Sequence, residues 1–116
     1  MSIYEKGFYT ILGCSALLVV VAIPLVLRMV PPNVIYGYRT RATLSDQALW
    51  FEANAHFGRR LIVASLSGTL AAYVIYRLEP FSPEAFLPIS LVVLVAPSIL
   101  AVVSTARFIR SIANGP

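Results

Sequence analysis

Three apolar segments, each long enough to form a membrane-spanning helix, alternate with polar segments along this chain. They cover residues 7–27, 61–78 and 88–108, and their only charges are Arg77 and Arg107, close to segment ends. Because an α-helix rises about 1.5 Å per residue, about 20 residues match the roughly 30 Å hydrocarbon core of a bilayer. The pattern therefore predicts an all-α membrane protein with three transmembrane helices.

A polar stretch, residues 31–58, separates the first two apolar segments, and we call it the motif segment. Its first half is rich in turn-forming residues, since Pro31 and Pro32 end a helix and Gly37 favours a turn. In its second half, apolar residues recur every four positions, at Leu49, Ala53 and Phe57. This periodicity predicts an amphipathic interfacial helix that lies at the membrane surface and leads into the second span.

The composition agrees with a single membrane domain that covers residues 1–116. Hydrophobic residues make up 59% of the chain and charged residues 12%, whereas soluble domains contain about 25% charged residues. The mean hydropathy is +0.82. Because so small and apolar a chain has too little polar surface to face water, we expect the lipid bilayer to surround most of it.

The distribution of arginines predicts which side of the membrane each segment faces, because positively charged flanks tend to stay in the cytoplasm. One side carries most of the arginines, namely Arg28, Arg39, Arg41, Arg59, Arg60, Arg107 and Arg110. The other side carries only Lys6 and Arg77. We therefore expect the N-terminus and the turn around Glu79 to Glu84 outside, and the motif segment and the C-terminus in the cytoplasm.

Residue types that perform catalysis or bind metals are scarce. The chain has one cysteine, Cys14, and one histidine, His56, and it contains no phosphate-binding glycine loop or nucleophile motif. Glu52, His56 and Arg60 follow one another at four-residue steps, which indicates weak ion pairs on a solvated helix face rather than a general base. We expect no enzyme activity, no catalytic or metal-binding residue and no cofactor. The net charge of +4 fits membrane topology, so nucleic acid is not an expected partner.

Small residues recur on one face of the second span, at Ala64, Gly68 and Ala72. Such stripes let helix backbones approach closely, and lipid provides little other force for helix association. The stripe predicts a packing face for the first span, for the third span or for a second protein.

The motif segment also carries a distinctive series of residues in a fixed order. Its centre is the run Gly37, Tyr38, Arg39 and Thr40. A Thr-Leu pair, a tryptophan and an asparagine come after this run and before the next span. The full set is Asn33, Tyr36, Gly37, Tyr38, Arg39, Thr40, Thr43, Leu44, Trp50, Asn54 and Gly58. This series resembles the signature of the SdpI family of bacterial membrane proteins, named for an immunity protein against a secreted killing peptide.

The resemblance implies a protein of the bacterial inner (plasma) membrane that gives immunity to, or senses, a secreted toxic peptide. The motif segment would then serve as a structural or binding clamp. The alternative is an accessory subunit that docks to a larger membrane complex. The partners expected under these hypotheses are the lipid bilayer, a peptide ligand, and a membrane protein or a second copy of the chain.

Overall fold

The computed structural model describes residues 2–79 and 82–114, and these residues form four α-helices. The helices are α1 (Ile3–Val26), α2 (Arg41–Ser45), α3 (Gln47–Leu78) and α4 (Pro83–Asn114). Three of them, α1, α3 and α4, are long and apolar enough to cross a bilayer. The predicted all-α membrane protein with three such helices is confirmed at this level. The turn predicted around Glu79 to Glu84 includes residues 80 and 81, which lie outside the described residues.

Helix α1 begins and ends with well-defined caps. The Ser2 side chain accepts a hydrogen bond from the Glu5 amide at 3.0 Å. At the other end Arg28 adopts a left-handed conformation with φ 58°, which turns the chain out of the helix. The amides of Arg28 and Met29 donate back to the carbonyls of Leu25 and Pro24 at 3.2 and 3.0 Å. Two of the last helical carbonyls are thereby satisfied before the motif segment begins.

Helix α3 starts at Gln47, and the Asp46 carboxylate caps it by accepting from the amides of Ala48 and Leu49. From there it runs without interruption for 32 residues. Residues 47–58, for which the sequence predicts an amphipathic interfacial helix that leads into the second span, are the first turns of α3. On the predicted apolar face of this helix, Ala53 is fully buried, as is the neighbouring Trp50, and Leu49 and Phe57 are half-buried.

Helix α4 starts at Pro83 and continues through Pro88. Because an interior proline removes one helical hydrogen bond, the sequence predicts a short interfacial turn before a span that starts at Pro88, and the continuous helix corrects this prediction. The bond lost at Pro88 would have reached the carbonyl of Glu84. Both residues are exposed near the helix end, where solvent can take the place of the missing donor, so the helix tolerates this proline.

The three long helices form an antiparallel bundle in which α3 contacts both others. A Cβ atom added to Gly58 would lie 2.9 Å from the Ala22 carbonyl oxygen of α1, and one added to Gly68 would lie 3.0 Å from Leu94 Cα of α4. Glycine thus allows the close approach of α3 on each side. Between α1 and α3, Ser15 donates to the Ser65 carbonyl at 3.0 Å.

At the end of the bundle opposite the motif segment, aromatic rings make the contacts between helices. The Phe8 ring of α1 stacks on the Tyr76 ring of α3 with centroids 4.8 Å apart. The fully buried Phe86 ring of α4 lies 5.3 Å from Tyr4 and 6.2 Å from Tyr76. We call Tyr4, Phe8, Tyr76 and Phe86 the aromatic end.

Candidate functional site

The motif segment begins with a turn that Asn33 holds. The Asn33 Oδ1 atom accepts from the amides of Ile35 and Tyr36 at 2.9 and 2.7 Å, and its Nδ2 donates to the Pro31 carbonyl. This local bonding is typical of asparagine in turns. The turn sends Tyr36 back toward α1, where its hydroxyl donates to the Val21 carbonyl. Partial burial raises the pKa of the Tyr36 phenol, so this hydroxyl remains a donor.

Gly37 follows, and the structure requires glycine at this position for two reasons. Its φ of +115° lies in a region that side chains strongly disfavour. A Cβ atom would also lie 2.8 Å from Asn54 Oδ1 and 3.1 Å from the Trp50 ring. The loop backbone therefore rests directly on two α3 side chains of the motif.

Asn54 binds the loop backbone through both ends of its side-chain amide. Its Oδ1 accepts from the Tyr38 amide at 2.6 Å, and its Nδ2 donates to the carbonyls of Tyr38 at 3.3 Å and Trp50 at 2.9 Å. Only 2% of Asn54 is exposed. A buried amide needs such partners, and the loop supplies them. The one-turn spacing of Trp50 and Asn54 in the sequence predicts such a contact with residues 36–40.

Trp50 holds the start of the same segment. Its indole Nε1 donates to the Val30 carbonyl at 2.8 Å, and the side chain is fully buried. The sequence placed this indole near residues 36–40 but did not identify Val30 as its partner. Two turns further along α3, Gly58 packs on α1, where a Cβ atom would lie 2.8 Å from Val26 Cγ2.

A reciprocal pair of threonines starts α2. The Thr43 amide donates to Thr40 Oγ1 at 3.1 Å, and the Thr40 amide donates to Thr43 Oγ1 at 2.8 Å. The fully buried Thr43 hydroxyl also donates to the Tyr38 carbonyl at 3.1 Å. These bonds explain the Thr40 and Thr43 spacing of the motif as a capping arrangement.

Tyr38 extends the loop contacts to α4. Its ring lies 5.4 Å from the Phe57 ring, and its hydroxyl is 3.5 Å from the Val102 carbonyl. With Tyr36 on α1 and Asn54 on α3, the loop is attached to all three long helices. The polar side chains of the motif are therefore used mainly inside the protein.

Other parts of the motif segment face outward. Arg39 donates to the Val34 carbonyl, and both it and Arg41 are exposed. Val34 and Ile35 are 78% and 87% exposed, and Leu44 is 45% exposed. The exposed apolar pair Val34 and Ile35, with Arg39 bound to Val34, is thus one part of the motif segment available to another molecule or to lipid.

The ion pairs expected along the Glu52, His56 and Arg60 row do not form. Glu52 instead pairs with Arg28 at 2.8 Å, in the turn after α1. The Arg28 hydrogen bond lowers the pKa of the Glu52 carboxyl, although both side chains are about half exposed. Four-residue spacing could not reveal this partner, because it depends on where the preceding helix ends.

His56 faces α4. Its ring stacks on Phe108 with centroids 4.4 Å apart, and its Nδ1 lies 3.2 Å from Thr105 Oγ1. Because the Thr105 hydroxyl donates to the Ala101 carbonyl, we infer that Nδ1 carries the hydrogen of the neutral ring and donates to Thr105. Burial, with smaller contributions from Arg60 and Arg59, lowers the pKa of His56.

The small-residue stripe lies inside the bundle. Ala64 and Ala72 are 4% and 0% exposed, and Gly68 packs on Leu94 of α4. The sequence allowed three partners for this stripe: the first span, the third span or a second protein. In the structure, Gly68 contacts the third span. Within residues 2–79 and 82–114, no group of three or more metal-ligating side chains comes together.

Comparison with known proteins identifies relatives of the chain. The model of the SdpI/YfhL protein family matches residues 29–106, which include the motif segment, all of α3 and most of α4. A Bacillus subtilis (strain 168) protein named YfhL, described as uncharacterized, is 42% identical over 45 residues. That alignment covers 36% of this chain and 41% of the relative, so it spans about two fifths of that protein. No solved structure matches the chain.

Proposed function

The chain belongs to the SdpI/YfhL protein family, and on that premise we propose that it senses, or gives immunity to, a secreted toxic peptide in the bacterial plasma membrane. The observation that carries the proposal is that the motif segment has a buried part that holds the loop in place and an exposed part that is free to bind. Buried polar groups such as Asn54 and Thr43 fix the loop on the bundle, while Val34, Ile35 and the neighbouring arginines stay exposed.

The exposed part of the motif segment has chemistry suited to an amphipathic peptide. Val34 and Ile35 supply apolar area, and Arg39 and Arg41 supply guanidinium groups that bind carboxylates in a forked geometry. Because the loop is already fixed by internal hydrogen bonds, peptide binding would not require ordering it, which favours affinity. The bond from Tyr36 to Val21 holds the loop against the predicted first span. The exposed surface would then lie next to lipid, where a peptide inserted in the bilayer would meet it.

The proposed sidedness places the motif segment and the C-terminus in the cytoplasm and the N-terminus outside. Cysteine labelling tests it, after the exposed Cys14 is replaced by serine. We expect a thiol at Ser45→Cys to react with an impermeant reagent only after the cells are opened, and one at Ser82→Cys to react in intact cells. The reverse pattern would overturn the orientation, and equal labelling in intact cells would do the same.

The peptide hypothesis is tested by deleting the gene and treating the cells with secreted peptides of the same and neighbouring strains. We expect the deletion to sensitise the cells to at least one peptide and the wild-type gene to restore protection. Unchanged sensitivity across this panel would contradict the proposal. If the protein instead purifies from mild detergent in a stoichiometric complex with a larger membrane protein, the accessory-subunit hypothesis is favoured.

The role of the exposed surface is tested by Arg39→Ala, with Arg77→Ala at the opposite end as the matched control. We expect Arg39→Ala to reduce protection while the amount of protein in the membrane stays normal, and Arg77→Ala to keep protection. If Arg39→Ala mainly lowers the amount of protein, the residue has a structural role through its bond to Val34.

A further inference from the structure

A groove on the bundle surface runs between α3 and α4, beside the contact that Gly68 makes. Its most buried lining residues are Ala64 of α3 and Ala101 of α4, which are 4% and 3% exposed. The exposed side chains of Val63 and Leu100 border it, and Pro97 also lines it. Short side chains at the bottom and branched apolar ones at the sides give a slot that fits a hydrocarbon chain.

Polar groups also line this groove. They belong to Arg60, Ser67 and Ser104. Arg60 directly precedes the predicted span 61–78, and Ser104 lies one turn before the end of the predicted span 88–108, so both belong near headgroup depth. Arg60 is exposed, and within the described part of the chain Arg28 and Glu52 form the only ion pair.

We propose that this α3–α4 groove binds one anionic phospholipid, with the phosphate at Arg60 and Ser104 and an acyl chain along Val63 and Leu100. The guanidinium fork matches two phosphate oxygens, and a serine hydroxyl can donate to a third. Val63 and Leu100, further from the headgroup, then replace part of the contact that the acyl chain makes with other lipids. The inference rests on this geometry and does not depend on the peptide hypothesis.

Charge complementarity favours an anionic over a zwitterionic lipid. Both carry a phosphate, but the ammonium group of a zwitterionic headgroup would also meet the positive charge of Arg60, which lines the groove. Arg107 lies three positions after Ser104 on α4, and residues so spaced share a helix face. Each basic residue near a membrane surface strengthens the attraction to anionic lipid by a factor of about five.

Native mass spectrometry of the full chain provides the test. The protein is released from micelles that contain equal amounts of phosphatidylglycerol and phosphatidylcholine, and the retained lipid is identified. We expect one phosphatidylglycerol per chain, with a preference of about fivefold. Arg60→Gln should abolish this preference, whereas Arg59→Gln should keep most of it, because Arg59 has the same charge but does not line the groove.

A second variant separates the groove from general surface charge. Ser67→Leu with Ser104→Leu fills the slot at positions that are not buried, so folding should be preserved. We expect it to lose the bound lipid, whereas Val103→Leu, outside the groove, should retain it. Equal losses for Arg59→Gln and Arg60→Gln would overturn the proposal in favour of diffuse attraction. A dimer that only the groove-filling variant disrupts would assign the groove to a second copy of the chain.

Discussion

The two ends of the helical bundle hold their helices together by different means. At the motif end, defined by Gly37, Tyr38, Trp50 and Asn54, contacts are directional hydrogen bonds to backbone groups, such as the 2.6 Å bond from the Tyr38 amide to Asn54. At the aromatic end, rings of Phe8, Tyr76 and Phe86 meet at centroid distances of 4.8 and 6.2 Å.

This difference predicts unequal tolerance to substitution. A hydrogen bond to a buried backbone group needs one donor or acceptor at one place, and its loss leaves the partner unsatisfied. Ring contacts depend on area and shape, so a different apolar side chain recovers much of the energy. The motif end should therefore be the less tolerant of the two ends.

Gly37→Ala should produce the largest effect. The left-handed φ of +115° and the 2.8 Å approach of the new Cβ to Asn54 Oδ1 act together. Strain of this kind and overpacking each cost about 1 to 3 kcal/mol, so we expect a loss of about 3 kcal/mol. The free energy of unfolding, measured by SDS titration in mixed micelles, checks this value.

Gly13→Ala is the matched control for that substitution. No atom lies within 4 Å of a Cβ added at Gly13, and the residue is inside α1. Because alanine favours a helix over glycine by about 0.5–1 kcal/mol, this variant should unfold at slightly higher SDS concentrations. Similar destabilisation by the two variants would show that the fit of Gly37 on Asn54 is unimportant.

Asn54→Ala should have the next largest effect. It leaves the Tyr38 amide without its partner, while the Tyr38 carbonyl keeps the bond from the Thr43 hydroxyl. Leaving a buried polar group unsatisfied costs about 1–3 kcal/mol, so we expect a loss of about 2 kcal/mol in the same titration. Ser45→Ala, which removes one exposed local bond, should change little, and an equal loss there would argue against a special role for Asn54.

Phe8→Leu probes the aromatic end. The substitution removes the stacked contact with Tyr76 but keeps an apolar side chain of similar reach. Aromatic pairs contribute about 0.5–1.5 kcal/mol beyond their buried area, so we expect a loss of about 1 kcal/mol. A loss larger than that of Asn54→Ala would reverse the comparison between the two ends.

The smallest expected effect is a change of stability with pH, caused by His56 near the motif end. The pKa of folded His56 lies below its ordinary value of 6.5, chiefly because of burial. As the pH falls below about 6.5, the unfolded chain binds a proton before the folded one does, so stability decreases until the folded ring is also protonated. SDS titrations across this range should show the decrease, and His56→Gln should remove it. A wild-type stability that rises on acidification would contradict the assignment.

The sequence predicted the helical architecture better than the contacts between its parts. Apolar segment length identified the three helices that can span a membrane, because a span must be long and nearly free of charge. Periodicity also predicted that the helix over residues 47–58 leads into the second span, but it did not predict that Trp50 and Ala53 on this helix are fully buried. Periodicity marks an apolar helix face, but whether lipid or the chain's own loop covers that face depends on the tertiary structure.

The candidate site shows the same limit. The pairing of Trp50 and Asn54 with the loop could be expected, since a buried indole and a buried amide need partners nearby. The bonds of Trp50 to Val30, Tyr36 to Val21 and Glu52 to Arg28 could not. They depend on how the left-handed turn at Arg28 directs the chain after α1, and no spacing in the sequence encodes that direction.

Trp50 fluorescence tests most directly whether the motif residues hold the loop on the bundle. Trp50 is the one tryptophan of the chain, and in the structure it is fully buried beneath Gly37. In lipid nanodiscs we expect acrylamide to quench the wild-type emission weakly, and to quench Gly37→Ala and Asn54→Ala clearly more. Strong quenching of the folded wild-type protein, equal to that of the variants, would contradict a loop fixed by these residues.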